Sequence, residues 1–204
     1  MSSPRPYKIA VVGKESAGKT SLCRRLVKDE FSESESGTIG AAYSYFSLMD
    51  KKDEKHDVKL DICDTAGHER YARLLPGHTR GANCVLFVFD QTKPYNEQIE
   101  YFNTRLQKDR DLDPQDAKCY VLITKSDITP HDKNDEKQIN QFKEHRGIKT
   151  ETIVCSAKNK DDPGIKKLKE TLIADSHPKQ KLDMKNDQPK VLDLSKAPPL
   201  LLLS

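Results

Sequence analysis

The chain has 204 residues, with 35 basic and 32 acidic side chains and a formal net charge of +3. Hydrophobic residues make up 35% and charged residues 33%, and the mean hydropathy is −0.79, which is polar for a globular chain but outside the disordered range. No apolar run approaches the ~18–20 residues of a membrane helix, and the near-balanced charge gives no electrostatic ground for nucleic acid. The first residues run into Tyr7 without the basic and apolar regions of a secretory signal, so none is expected. Cys23, Cys63, Cys84, Cys119 and Cys155 are scattered, odd in number and lack a CxxC pair. A zinc site and a disulfide framework are therefore excluded, and buried thiols in a reducing compartment are expected.

Tyr7–Val12 (YKIAVV) is β-rich and ends at Gly13. Residues 20–28 place Leu22, Cys23, Leu26 and Val27 on one helical face. Ala41–Met49 and 57–63 alternate with period two around a charged turn, 50–56, which predicts an antiparallel hairpin. Residues 84–89 (CVLFVF) form a compact apolar strand, followed by a helix marked by Tyr95, Ile99, Phe102 and Leu106. Lys118–Thr124 and 152–155 read as two further strands. A last helix carries Ile165, Leu168 and Leu172, with Asp162 as N-cap and Pro163 at its first position. Strands separated by helices imply right-handed βαβ units and a mostly parallel sheet with helices on both faces. The hairpin supplies one antiparallel edge strand, making six in all. Residues 1–6 form an N-terminal arm and 7–174 the folded domain. Residues 175–204, with Pro178, Pro189, Pro198 and Pro199 and no glycine, read as a flexible tail.

Gly13-Lys14-Glu15-Ser16-Ala17-Gly18-Lys19-Thr20 fits GxxxxGK[ST] between a strand and a helix, with Ser21 next in that helix. Glycine lets the backbone fold around phosphates, and the loop N–H groups and the helix N-terminus face the anion. Lys19 reaches the β/γ oxygens, and Thr20 offers a hydroxyl to Mg²⁺. A nucleoside di- or triphosphate is the expected ligand. Asp64-Thr65-Ala66-Gly67 follows the third strand, where a carboxylate holds water on Mg²⁺ and the Gly67 N–H meets a γ-phosphate. Thr124-Lys125-Ser126-Asp127 ends one strand and Cys155-Ser156-Ala157-Lys158 the next. An aspartate accepts from both the N1–H and the 2-amino group of guanine, a donor pair adenine lacks. The lysine stem packs on the base plane, and the Ala157 N–H approaches O6.

With these four segments in order, and Thr38 between the first and the second, the chain resembles small GTPases of the Ras superfamily, and its Rab branch most closely. Thr38-Ile39-Gly40-Ala41-Ala42-Tyr43, DTAGHERY from Asp64 to Tyr71, Arg80-Gly81-Ala82 and Phe87-Val88-Phe89-Asp90 are similar to Rab segments of the early-endosomal type. The resemblance implies a P-loop G domain over 7–174, binding of GTP or GDP with Mg²⁺, and slow GTP hydrolysis as a switch in vesicle traffic. It also implies switch loops at about 31–43 and 65–79, meeting an exchange factor, a GTPase-activating protein and effectors. Phe31 matches the aromatic against the base. Thr20, Thr38 and, through water, Asp64 match the metal set, with Thr38 ligating only in the GTP state. Lys19, Thr38, Gly67 and His68 match the catalytic positions.

Several positions depart from the family pattern. His68 stands where most members carry the glutamine that orients water, although translational elongation GTPases use histidine there. Glu15 occupies a small-residue position and brings negative charge beside the γ-phosphate and the path of an arginine finger. These two favour an alternative, a GTP-locked interaction module that recruits or titrates trafficking partners with little hydrolysis. Thr124 replaces the usual asparagine, as in Rho-type relatives. Cys63 and His78 replace two aromatics of the triad completed by Tyr43, which puts familiar Rab effectors in doubt. No cysteine follows Cys155, so no prenyl anchor is expected. The expectation is a cytoplasmic monomer, peripheral at endomembranes by another device. A second expectation is a bacterial mimic delivered to a eukaryotic host through an export signal ending in 200–203.

Overall fold

The computed structural model describes residues 6–33, 41–49, 57–67, 80–106, 117–129 and 133–177. Along the chain run β1 (Tyr7–Val12), α1 (Lys19–Lys28), β2 (Ala41–Met49), β3 (Asp57–Thr65) and β4 (Cys84–Asp90). They are followed by α2 (Tyr95–Leu106), β5 (Lys118–Thr124), α3 (Lys133–His145), β6 (Thr152–Val154) and α4 (Pro163–Ser176). The strands form one six-stranded sheet in the order β2-β3-β1-β4-β5-β6. β2 is antiparallel to β3, with Tyr43 opposite Cys63. The other neighbours pair in parallel. This is the mostly parallel sheet with one antiparallel edge strand that the alternation predicts.

β4 is buried at every position, because a central parallel strand is covered on both faces and so reads as a continuous apolar run. On one face Ile9, Val11, Ile62, Leu86 and Leu122 pack with Leu22 and Leu26 of α1 and Leu168 and Leu172 of α4. On the other, Val85, Phe87, Phe89 and Ile123 meet Phe102 of α2 and Ile139 and Phe142 of α3. Phe87 stands edge-on to Phe102 at 5.4 Å and Phe89 edge-on to Phe142 at 5.3 Å, the arrangement that ring quadrupoles favour. Fully burying one such side chain contributes about 1.5–3 kcal/mol. Helices therefore flank both faces, and no described helix is long and apolar enough to cross a membrane.

Several boundaries differ from the sequence reading. β3 extends past Cys63 to Thr65 because Thr65 still pairs with Ala41 and its hydroxyl donates to the Val11 carbonyl at 2.6 Å. β6 stops at Val154, since beyond it the chain turns into the cleft described below. α3 is absent from the sequence reading altogether. Asp162 caps α4 as expected, accepting from the Ile165 N–H at 3.0 Å with Pro163 in the first turn. Four of the five cysteines are buried thiols and Cys119 is half-buried. The predicted turn 50–56, most of the arm and residues 178–204, including the 200–203 signal, lie outside the described residues.

Candidate nucleotide site

Four loops leave the C-terminal ends of β1, β3, β5 and β6, the edge of an open parallel sheet where ligands bind. They surround a cleft of about 520 Å³, within the range of small-molecule sites. Its phosphate end is the loop from Gly13 to Thr20. Gly18, at φ 81°, takes a left-handed conformation that suits glycine, and caps α1 without a side chain. The first N–H groups of α1 are thus left for an anion. Lys19 is 6% exposed, and its ammonium donates to the Lys14 carbonyl at 2.9 Å. Burial pulls its pKa down to about 8, against the raising effect of Asp64, Cys23 and Glu15. A buried cation held this way gains from an incoming phosphate.

The Thr20 hydroxyl donates to Asp64 Oδ2 at 2.7 Å, and Asp64 is buried. A hydroxyl and a carboxylate side by side beneath a phosphate loop form the hard oxygen set that suits Mg²⁺, which keeps waters and borrows phosphate oxygens. Gly67 closes over the same point: a Cβ there would lie 2.5 Å from the Glu15 N and 2.5 Å from the Lys19 Nζ. Only a bare backbone fits, so any side chain would fill the space beside the lysine.

At the other end, the Thr124 hydroxyl lies 2.8 Å from the Ala17 carbonyl and 2.9 Å from that of Phe89. Threonine therefore ties β5 to the phosphate loop. Lys125, at φ 63°, reaches Asp90 Oδ2 at 2.7 Å, which lays its stem along the cleft wall. Asp127 Oδ1 accepts from the Ser156 hydroxyl at 2.6 Å, and the Lys158 N–H donates to Ser156 Oγ at 3.2 Å. Lys158 also pairs with Glu33 at 2.9 Å; that hydrogen bond, together with the charge, lowers the pKa of Glu33 and raises that of Lys158.

The structure brings most of the sequence-derived residues into this one cleft. Glu15, Ser16, Gly18, Lys19, Thr20 and Ser21 line it at the phosphate end. Phe31 and Gly67 line its flanks, and Thr124, Lys125, Asp127, Ser156, Ala157 and Lys158 its base end. Others stand behind the wall. Gly13 lies against the Val88 carbonyl, Ala17 is buried, Asp64 backs Thr20, and Lys14 turns out to pair with Glu97 at 3.0 Å. Thr38, His68 and His78 lie outside the described residues, as do most of both switch loops. Cys63 is buried, so it is not a surface reader in the described conformation.

Four participants escaped the sequence reading. Glu33 and Ile128 line the mouth, and Asp90 holds Lys125. Arg25 is 6% exposed beneath the base loop. Its signal was visible, because an arginine between Leu22 and Leu26 falls on the apolar face of α1 and needs buried acceptors there.

A model of the Ras family matches residues 8–175. The GTP-binding protein ypt5 of Schizosaccharomyces pombe is 45% identical over 86 residues, 42% of this chain and 40% of that one. RABF2b of Arabidopsis thaliana is 45% identical over 85 residues, 42% and 41% of the two chains. The chain thus spans about two fifths of the length of these relatives. Rab-18 of Caenorhabditis briggsae is 32% identical over 162 residues, 78% of this chain and 76% of its own. With its phosphate loop, sheet order and base loops set out as above, the chain belongs to the Ras family.

Proposed function

We propose that the chain is a Rab-like guanine-nucleotide switch that binds GTP and GDP with Mg²⁺, hydrolyses GTP slowly and regulates vesicle traffic. The observation that carries this reading is the convergence of a buried lysine and an oriented aspartate on one cleft. Lys19 supplies charge for phosphates at one end, and Asp127, held by Ser156, supplies an acceptor for guanine at the other. Bound Mg²⁺ neutralises β- and γ-phosphate charge; Thr20, Asp64 through water, and Thr38 would hold it. Gly67, whose bare backbone stands against Lys19 and the phosphate loop, would bring its N–H to a terminal phosphate. Relatives called GTP-binding and Rab proteins support the traffic role, with exchange factors, activating proteins and effectors at the switch loops and peripheral contact with endomembranes.

Glu15 lines the phosphate end and favours a second reading, a GTP-locked module that recruits trafficking partners. Its carboxylate crowds the path of an arginine finger, and His68 offers one ring nitrogen where an amide both donates and accepts. Single-turnover GTP hydrolysis by the purified chain separates the two. Turnover at or below about 10⁻⁴ s⁻¹, rising with an arginine-finger activator in the Glu15→Ser, His68→Gln double variant, is expected. Equal affinity for GTP and ATP would overturn both readings.

A further inference from the structure

The buried Arg25 is joined to the base-reading carboxylate by a continuous line of hydrogen bonds. Its Nε donates to the Ala157 carbonyl at 2.8 Å and its Nη2 to the Lys158 carbonyl at 3.2 Å. The other side of the Ala157–Lys158 peptide donates through the Lys158 N–H to Ser156 Oγ at 3.2 Å. That hydroxyl spends its proton on Asp127 Oδ1 at 2.6 Å. The fork's remaining arm grips the end of α1, where Nη1 reaches the Asp29 carbonyl at 2.6 Å and its carboxylate at 3.0 Å. Asp29 closes the helix in a left-handed conformation, donating its N–H to the Arg25 carbonyl, and stands two residues before Phe31, which lines the cleft. One guanidinium thus ties the 157–158 loop to the end of α1.

We infer that Arg25 is a positioning residue for base specificity, acting on Asp127 through the Ala157–Lys158 peptide and the Ser156 hydroxyl. Three properties support this. Ser156 is fully buried, so its proton has a defined acceptor. A guanidinium on a peptide carbonyl polarises that peptide's N–H, and each bond in such a chain strengthens the next. The planar fork also holds two carbonyls and a helix end in one geometry, which an ammonium on a flexible stem cannot reproduce. Without it, the Ser156 rotor and the 156–158 loop lose their reference, and Asp127 meets the ring N1–H and 2-amino group less well.

This inference rests on the guanine reading proposed above, and its test separates the two. Release of GDP and of inosine diphosphate, which lacks the 2-amino group, is measured for the full chain and for Arg25→Lys and Arg25→Met. Circular dichroism and thermal melts establish that each variant is folded. The unmodified chain should hold GDP more tightly than inosine diphosphate. In Arg25→Met GDP release should quicken by about tenfold or more, inosine diphosphate release should change less, and the preference between them should shrink. Arg25→Lys, which keeps the charge and loses the fork, should lie nearer Arg25→Met than the parent and serves alone if the methionine variant does not fold. Equal acceleration of both ligands would show that Arg25 only supports the fold, and release within twofold of the parent would show that it does nothing here; either overturns the inference. If the unmodified chain does not prefer GDP over inosine diphosphate, the guanine reading itself fails.

Discussion

At the scale of single residues, the cleft divides its work between charge and shape. Asp127 acts by acceptor chemistry, so Asp127→Asn should lose about 1.5–3 kcal/mol of GTP binding and gain xanthine nucleotides, whose base presents a carbonyl to the new amide. Competition between labelled GTP and XTP checks this, and unchanged preference would remove Asp127 from the base. Thr20 acts through its hydroxyl, which already lies beside the buried Asp64. Thr20→Asn should spare GDP and weaken GTP, whose extra charge depends more on Mg²⁺; normal GTP binding by this variant would contradict the metal assignment. Tyr95 is of a different kind. Its ring packs edge-on against Phe89, while its buried hydroxyl finds no hydrogen-bond partner among the described residues. An unsatisfied polar group costs about 1–3 kcal/mol, so Tyr95→Phe should leave stability unchanged or raise it in a thermal melt. A clear loss would mean the hydroxyl is satisfied after all.

At the scale of elements, the strength of the local pattern decided what the sequence revealed. β4 and β5 stood out because central strands are apolar on both faces, and α4 because Asp162 and Pro163 mark its start. The phosphate loop was legible as well, since its spacing is dictated by the anion rather than by the rest of the fold. α3 was not legible: thirteen residues, KNDEKQINQFKEH, bring only Ile139 and Phe142 to the core. Asp135 and Glu136 in its first turn and Lys143 and His145 in its last do complement the helix dipole, a weaker signal than periodicity. Glu33 and Asp90 were missed because their partners, Lys158 and Lys125, come from distant segments that only the fold brings near. The junction of β6 and α4 has its own test. A Cβ at Gly164 would stand 2.0 Å from the Val154 carbonyl and 2.8 Å from Cys155 Cβ, and the backbone carbonyl cannot rotate away. Gly164→Ala should therefore cost about 1–3 kcal/mol, lowering the melting temperature by roughly 2–4 °C per kcal/mol. A melting temperature equal to the parent's would show that α4 shifts freely on β6.

At the scale of the whole molecule, the two cores bury ionisable groups as well as apolar ones, and this sets the alkaline limit of stability. Burial raises the pKa of Cys155 to about 12 and that of the half-buried Cys119 to about 11. It holds Cys23 and Cys84 well above their usual value, and Tyr7, Tyr95 and Tyr120 are raised too, chiefly by burial. In the unfolded chain these thiols titrate near 9.0. Above that pH the unfolded state releases protons that the folded state keeps, so it binds fewer, and unfolding free energy falls as pH rises. The contribution is complete below pH 9 and disappears progressively as pH climbs through the folded values of about 11 and 12. Lys19 works in the opposite sense between about 8 and 10.5, since its folded pKa is lowered, but it is one group against four thiols and three phenols. Thermal melts of the nucleotide-free chain should therefore decline from pH 9 upward, and the decline should be shallower in Cys155→Ala when compared with its own value at pH 7. The same burial predicts slow chemistry. At pH 8 a thiol of pKa 11 is ionised only about once in a thousand, so Cys119, Cys23, Cys84 and Cys155 should resist an aromatic disulfide reagent until guanidinium unfolds the chain. Rapid modification of any of these four in the native protein would mean that the core around it opens on the timescale of the assay.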